Sequence, residues 1–376
     1  MKPIPFLRPN VVKCESYLKY LSQIDENRIY SNYGPLNDTF EERILQEFFE
    51  GEGAVSTVNN ATIGLMLAIA QSMRPNGRYA LMPSFTFSAT PLSAIWCGLE
   101  PYFIDIQEDE WSMNVDILED TLKKLGDQVA VVVPYATFGT CIDLTYYNEL
   151  QKRGIPVVVD AAASFGARDK YGHFGKGFLG SIVYSFHATK GFGIGEGGLV
   201  YSGDQEIISN VRQAGNFGYK GSKESTLKGL NSKLSEYMAA IGLATLDIFE
   251  QKIETRNQIK QWYLEQMNKW NLFDKGWRVQ NCTGQLVTQL FSILSPQDEK
   301  ADVIIDRLDK QWIETRCYFS PPCHRQKQFS TSHQSTMTMT ESISNRIISL
   351  PFWEEIDIAH VNRVIKELAK PSHRGE

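Results

Sequence analysis

The stretch Ser181-Ile-Val-Tyr-Ser-Phe-His-Ala-Thr-Lys190, with Gly193-Ile-Gly195-Glu-Gly-Gly198 and Leu199-Val-Tyr201 behind it, decides the fold. Its first six residues form an apolar run expected to be a buried strand, and Gly198 to Tyr201 form another. The glycines between them satisfy G-x-G-x-x-G, the dinucleotide fingerprint. They precede a strand-like run, however, where that fingerprint must open a helix, so a dinucleotide-binding reading is rejected on context. What remains is a lysine just past a strand end, at the start of a glycine-rich loop.

Working outward, a second apolar run, Ile155-Pro-Val-Val-Val159, ends on Asp160. An amine and an acid thus lie just beyond two strands expected to be parallel, and ligands of open α/β sheets bind at such strand ends. Alone, a lysine after a strand is a solvated loop residue and an aspartate there a helix cap. Together they fit a specific chemistry. A lysine forms an imine with an aldehyde cofactor, and a buried carboxylate keeps a pyridine nitrogen protonated, the pairing by which proteins tune pyridoxal 5′-phosphate.

Between about residues 54 and 202, short strand-like runs alternate with helix-like segments, the pattern of a mostly parallel sheet covered on both faces. Seven strands are expected: Ala54 to Val58, Tyr79 to Met82, Tyr102 to Asp105, Val129 to Val133, Pro156 to Asp160, Ser181 to Phe186 and Gly198 to Tyr201. Helical spacing lies between them at Ile63 to Ala70, Thr90 to Trp96, Val115 to Lys124 and Leu144 to Lys152. Beyond residue 203, Leu234 to Arg256 reads as one long helix and Ile259 to Trp270 as another. A strand over Gln285 to Leu294 and helices over Asp302 to Gln311 and Ile358 to Leu368 complete a smaller α+β unit. The Ser- and Thr-rich Ser330 to Ser344 is expected to be a mobile surface loop. The fold class is therefore α/β, with a large domain over residues 1–245 and a small one over 246–376.

At 376 residues and 42% hydrophobic, the chain can bury a large core. A net charge of −6 argues against general nucleic-acid binding, so an anionic ligand must be met by local cations. The six cysteines are scattered and read as reduced thiols. Cys317, Cys323 and His324 lack the spacing of a metal site, and no metal is expected. The proline-broken N-terminus has no apolar signal region, and no stretch is of membrane-spanning length, so a cytoplasmic protein is expected.

Several residues around the lysine suit a phosphate-bearing, flat-ringed ligand. Asn59-Asn60-Ala61-Thr62 falls between the first strand and a helix, where backbone amides and the Thr62 hydroxyl can meet a phosphate or Asn60 can simply cap the helix. Ser185 lies on the strand end leading to Lys190 and can add a hydrogen bond to the same phosphate. Phe87, in Pro83-Ser-Phe-Thr-Phe87, can stack on an aromatic ring or belong to the core. Arg212, Lys220, Lys223, Lys228 and Lys233 form a cationic, glycine-punctuated segment that is either a solvated face or a pyrophosphate contact. Of these, Lys220 is the chosen candidate.

These residues resemble the DegT-type family of pyridoxal-phosphate-dependent sugar aminotransferases over most of the chain. The resemblance rests on Asn32-Tyr-Gly-Pro35, Asn60-Ala-Thr62 with Leu65, Pro83 to Phe87 with Ala89-Thr90, and Pro101-Tyr-Phe-Ile-Asp105. It continues through Asp160-Ala-Ala162 with Gly166-Ala167, Ser185 to Lys190 with Gly195 to Gly198, Gly229-Leu-Asn231 with Ser235 to Gly242, and Ser349-Leu-Pro351. It implies a fold type I transferase in which Lys190 forms the Schiff base, Asp160 pairs with the pyridinium nitrogen and Phe87 stacks on the ring. Ala61, Thr62 and Ser185 would hold the phosphate, and Asn231 would reach the cofactor of a second subunit, implying a homodimer with shared sites.

The implied reaction moves an amino group from a donor, L-glutamate, to a nucleotide-linked keto sugar. The sequence is similar to the branch forming dTDP-4-amino-4,6-dideoxyglucose for surface polysaccharides, which implies amination at C4 of dTDP-4-keto-6-deoxy-D-glucose. Amination at C3, a cyclitol acceptor and a non-catalytic cofactor-binding regulator are the alternatives. Tyr33, Tyr318 and His324 are further candidates either to approach the substrate or to serve as structural packing. Two positions depart from the family pattern. Ala163 stands where a glutamine is common, removing a side-chain contact to the cofactor's phenolic oxygen, and Lys233 stands where an arginine is common, keeping the charge without the bidentate fork.

Overall fold

The computed structural model describes residues 2–370. Its main sheet contains the seven expected strands: β1 (Ala54–Val58), β2 (Tyr79–Pro83), β3 (Glu100–Ile104), β4 (Val129–Val132), β5 (Val158–Asp160), β6 (Ser181–Ser185) and β7 (Gly198–Ser202). Their spatial order is β1-β7-β6-β5-β4-β2-β3, with β4 and β5 joined by the parallel bridges Val132↔Val157 and Tyr135↔Asp160. All pairs are parallel except those of β7 with β1 and β6. A parallel partner requires a long crossover. The link from Ser185 to Gly198 is instead a glycine-rich loop without a helix, so β7 turns back antiparallel and the loop carrying Lys190 stays at one edge of the sheet.

The strands read as continuous apolar runs because both sheet faces are covered. Side-chain alternation separates the faces: Val159, Ile182, Tyr184 and Leu199 enter one core with Phe40, Phe186 and Phe249. Val158, Val183 and Val200 enter the other with Leu65, Ile69 and Val211. The helix Ala61–Ser72 covers this second face, while Pro35–Phe49 and Glu236–Leu246 cover the first.

Three expectations are corrected. Leu234 to Arg256 is not one helix: Glu236–Leu246 ends, the chain steps through Asp247 and Ile248, and Phe249–Lys269 begins. The second helix then absorbs the separate one expected over Ile259 to Trp270. Both faces of the first helix are buried, so its apolar pattern runs on without a visible stop. The strand expected from Gln285 is confined to Phe291–Leu294. Ser330 to Ser344 is not a plain loop: His333–Gln334 pairs in parallel with β3, and Thr338–Ser344 is helical. Asp105 creates that order by accepting from Met339 N at 2.9 Å, Thr340 N at 2.7 Å and Thr340 Oγ1 at 2.7 Å. A carboxylate so distant in sequence leaves no trace in local composition.

The C-terminal part builds an antiparallel sheet from Arg278–Val279, Phe291–Leu294 and Ile347–Leu350. Its core gathers Tyr263, Trp277, Ile304 and Val361, with Ile4 from the N-terminal segment. That segment is fixed by Ile4 N donating to Trp312 O at 2.8 Å and by Glu314 N donating to Ile4 O at 3.0 Å. No described helix is long and apolar enough to cross a membrane.

Candidate active site

Strand register assembles the site. Val58 at the end of β1 faces Gly198 at the start of β7, and Gly198 faces Ser185 at the end of β6. One strand over, Asp160 at the end of β5 lies opposite Val183. Gly198 is required by a close approach: a Cβ there would lie 2.9 Å from both Ala61 N and Tyr184 O. The missing side chain lets the start of the helix Ala61–Ser72 settle against the sheet edge. Asn60 caps that helix, its Oδ1 accepting from Ile63 N at 3.0 Å. The cap leaves the first-turn amides of Ala61 and Thr62 without intrahelical acceptors, so they and the positive end of the helix dipole are available to an anion. Ser185, buried on the neighbouring strand end, accepts from His187 N at 3.3 Å.

Asp160 is 3% exposed. Its Oδ2 accepts from Thr90 Oγ1 at 2.6 Å and its Oδ1 from Ala162 N at 3.2 Å, while Thr86 Oγ1 lies 2.9 Å from Thr90 Oγ1. Burial still pushes the carboxyl above the usual carboxylate range, against the opposing pull of these two bonds and of Lys190. A buried anion in this position calls for a cation. Lys190 is partly buried; its Nζ donates to Gln289 Oε1 at 3.1 Å. Desolvation lowers its pKa to about 8, with Asp160 acting in the opposite direction. About a tenth of the amine is therefore neutral and nucleophilic at pH 7, and about half at pH 8.

Phe87 is 60% exposed, so it is not a core residue. Its carbonyl accepts from Thr90 N at 3.1 Å, tying the ring's turn to the residue that holds Asp160. Asn231 is exposed and forms an antiparallel bridge with Asn216. Lys233 Nζ donates to Asn216 Oδ1 at 3.1 Å and lies 4.6 Å from the Phe217 ring centroid. Lys220 is exposed on the adjoining loop.

Other candidates are committed elsewhere. Arg212, from the cationic segment, pairs with Glu41 and Asp38 and lies over the Tyr33 ring at 3.8 Å. Tyr33 itself donates to Arg212 O at 3.2 Å, and burial pushes its hydroxyl up to about 12, so it stays protonated. His324 is buried and engaged by neighbouring side chains. It is 7% exposed, its Nδ1 lies 2.7 Å from Ser84 Oγ, and its Nε2 lies 3.2 Å from Glu341 Oε1, so both ring nitrogens are used. Tyr318 packs near Phe6 and Phe319, with centroids 6.0 and 5.8 Å away.

Sequence reasoning gave no role to Thr90 or Gln289. Thr90 carried a signal, since Ala89-Thr90 is part of the family resemblance. Gln289 carried none, because it reaches Lys190 from 99 residues away in the chain.

Comparison with known proteins follows this geometry. A solved structure from Bacillus cereus ATCC 10987, assigned as a PLP-dependent aminotransferase, is 48% identical with a TM-score of 0.97, over 98% of this chain and 100% of that one. The dTDP-4-amino-4,6-dideoxy-D-glucose transaminase of Shigella dysenteriae is 28% identical over 98% of this chain and 99% of its own. The structure of DesI determined in the presence of its TDP-sugar product is 27% identical with a TM-score of 0.88, covering 98% of this chain and 93% of that one.

The residues present fit pyridoxal phosphate. A partly neutral lysine amine suits the aldehyde, a buried carboxylate suits the ring nitrogen, an exposed phenyl ring suits a flat aromatic face, and the close-set helix start suits the phosphate. The DegT/DnrJ/EryC1/StrS aminotransferase family matches residues 13–369, and the chain belongs to that family: it is a PLP-dependent sugar aminotransferase.

Proposed function

We propose that this enzyme transfers an amino group from L-glutamate to C4 of dTDP-4-keto-6-deoxy-D-glucose or a closely similar nucleotide-linked 4-keto sugar. The observation that carries the reading is the pairing of Lys190, its amine lowered to about 8, with the buried carboxylate of Asp160 at adjacent strand ends. The choice of acceptor is supported by similarity to the Shigella transaminase and to DesI, which was determined with a TDP-sugar product. We read residues 1–245 as the cofactor-binding unit and 246–376 as the smaller unit.

When bound, pyridoxal phosphate supplies a carbonyl that carries the amino group and a ring that withdraws electrons from the neighbouring carbon. Asp160 holds its negative charge against the ring nitrogen and keeps a proton there; Thr90 and the Ala162 amide fix the carboxylate for that task. Lys190 Nζ would hold the cofactor's aldehyde carbon, and its amine, when free, would accept and return a proton as general base and acid. Ala61, Thr62 and Ser185 would hold the phosphate, and the exposed Phe87 ring would stack on a flat aromatic ligand. Exposed Asn231 and half-buried Lys233 suit contact with the site of a second subunit, and exposed Lys220 suits the nucleotide pyrophosphate.

The test is a panel of donors and acceptors with the pyridoxal-phosphate-loaded protein. Glutamate with dTDP-4-keto-6-deoxy-D-glucose is expected to yield a 4-amino sugar, located by nuclear magnetic resonance of the product. Turnover only with a 3-keto sugar or a cyclitol ketone would reassign the acceptor, and no amino transfer to any ketone would overturn the reading.

A further inference from the structure

We propose that Gln289 is the residue that positions the reacting amine, supplying from the C-terminal part of the chain a side-chain amide that position 163 lacks. This inference rests on the assignment of Lys190 as the cofactor lysine.

The contact itself defines the orientation of the amide. Lys190 Nζ donates to Gln289 Oε1 at 3.1 Å, and the ammonium form, which has no lone pair, can pair only with that oxygen. The remaining N–H groups of the amide are then donors for a phenolate-type oxygen beside the same nitrogen. At residue 163 the chain has a buried methyl group that offers no polar contact.

The backbone under Gln289 is fixed from two sides. Val287 packs into the space left by Gly191, the residue after the lysine, where a Cβ would come within 2.5 Å of Val287 Cγ1. The Thr288 carbonyl accepts from Arg256 Nη1 at 3.0 Å. Arg256 is held by Glu354 at 2.9 Å, and Glu354 also binds Lys252 at 2.7 Å, with all three side chains only 4–6% exposed. Gln289 is itself 8% exposed. A flexible four-carbon stem thus meets an acceptor that is buried and carried on an anchored backbone. A neutral amine donating one N–H to that acceptor directs its lone pair elsewhere, so the amide sets the direction from which Lys190 attacks.

The experiment follows the rate at which apoprotein takes up pyridoxal 5′-phosphate as a function of pH, using wild type, Gln289→Met and Gln289→Glu. Borohydride reduction and peptide mass spectrometry identify the labelled lysine. Methionine keeps the shape and removes the acceptor, which disfavours the ammonium; the midpoint is expected to fall by about one pH unit. Glutamate adds charge to the acceptor, and the midpoint is expected to rise by a comparable amount. Opposite displacements are something a packing defect would not produce. Midpoints equal to wild type, or displaced in the same direction in both variants, overturn the proposal. If Gln289→Met does not fold, the rise in Gln289→Glu decides alone. Labelling of wild type at a lysine other than Lys190 would instead remove the assignment on which the proposal stands.

Discussion

Replacing Asp160 by asparagine separates the charge of the buried acid from its shape. Asp160 is 3% exposed and bonded to Thr90 Oγ1 and Ala162 N. Asparagine keeps an oxygen for the Ala162 amide, and the Thr90 hydroxyl can turn to accept from its Nδ2, so folding stability should change by only about 1 kcal/mol. The charge is what is lost. Two unit charges about 4 Å apart at an effective dielectric of about 20 attract by about 4 kcal/mol. Since part of that attraction is already present before the proton moves, the step should slow by about 10²- to 10³-fold rather than by the full amount. Cofactor affinity should fall less, because Ala61, Thr62 and Ser185 are untouched. The assay is a single turnover with saturating L-glutamate, following the visible spectrum of fully loaded protein. A rate within about twofold of wild type would refute the role given to Asp160, since it would assign the carboxylate less than about 0.4 kcal/mol.

Three further expectations follow from the same geometry. Burial destabilises the Lys190 ammonium, so the neutral amine should become half-populated at about pH 8, and wild-type cofactor uptake should climb through that value. At pH 6.5 uptake should lie roughly thirtyfold below its plateau, and a profile flat from pH 6 to 9 would contradict this. Glu354→Gln leaves Lys252 and Arg256 buried without their shared carboxylate; denaturant unfolding should show a loss of about 3–5 kcal/mol, and a loss under about 1 kcal/mol would show the cluster to be dispensable. Gly198→Ala places a methyl 2.9 Å from Ala61 N, forcing the helix start off the sheet edge; cofactor Kd should rise at least about tenfold, and an unchanged Kd would sink the phosphate cradle.

The strands were legible because each is a short apolar run buried on both faces, so local composition and tertiary environment agree; the boundaries of β1, β6 and β7 differ from expectation by at most one residue. Asp160 closes one such run and Lys190 stands five residues beyond the end of another, so both were placed near strand ends from sequence. What could not be read depended on partners far away in the chain. Asp105 organises residues 338–340, Glu354 gathers Lys252 and Arg256, and Gln289 meets Lys190, all across long sequence separations. The break at Asp247 was hidden for another reason: extensive burial of the helix before it leaves little of the polar face by which a helix end is recognised. The partners of His324, Ser84 and Glu341, likewise cannot be inferred from its neighbours in sequence.

The central claim is tested most directly by the visible absorption of purified, pyridoxal-phosphate-loaded protein before and after addition of L-glutamate, with Lys190→Ala as the control. The expected result is a lysine-dependent absorption band that glutamate converts to the spectrum of the aminated cofactor in wild type and not in the variant. A band that glutamate leaves unchanged, or one that survives intact in Lys190→Ala, would contradict it.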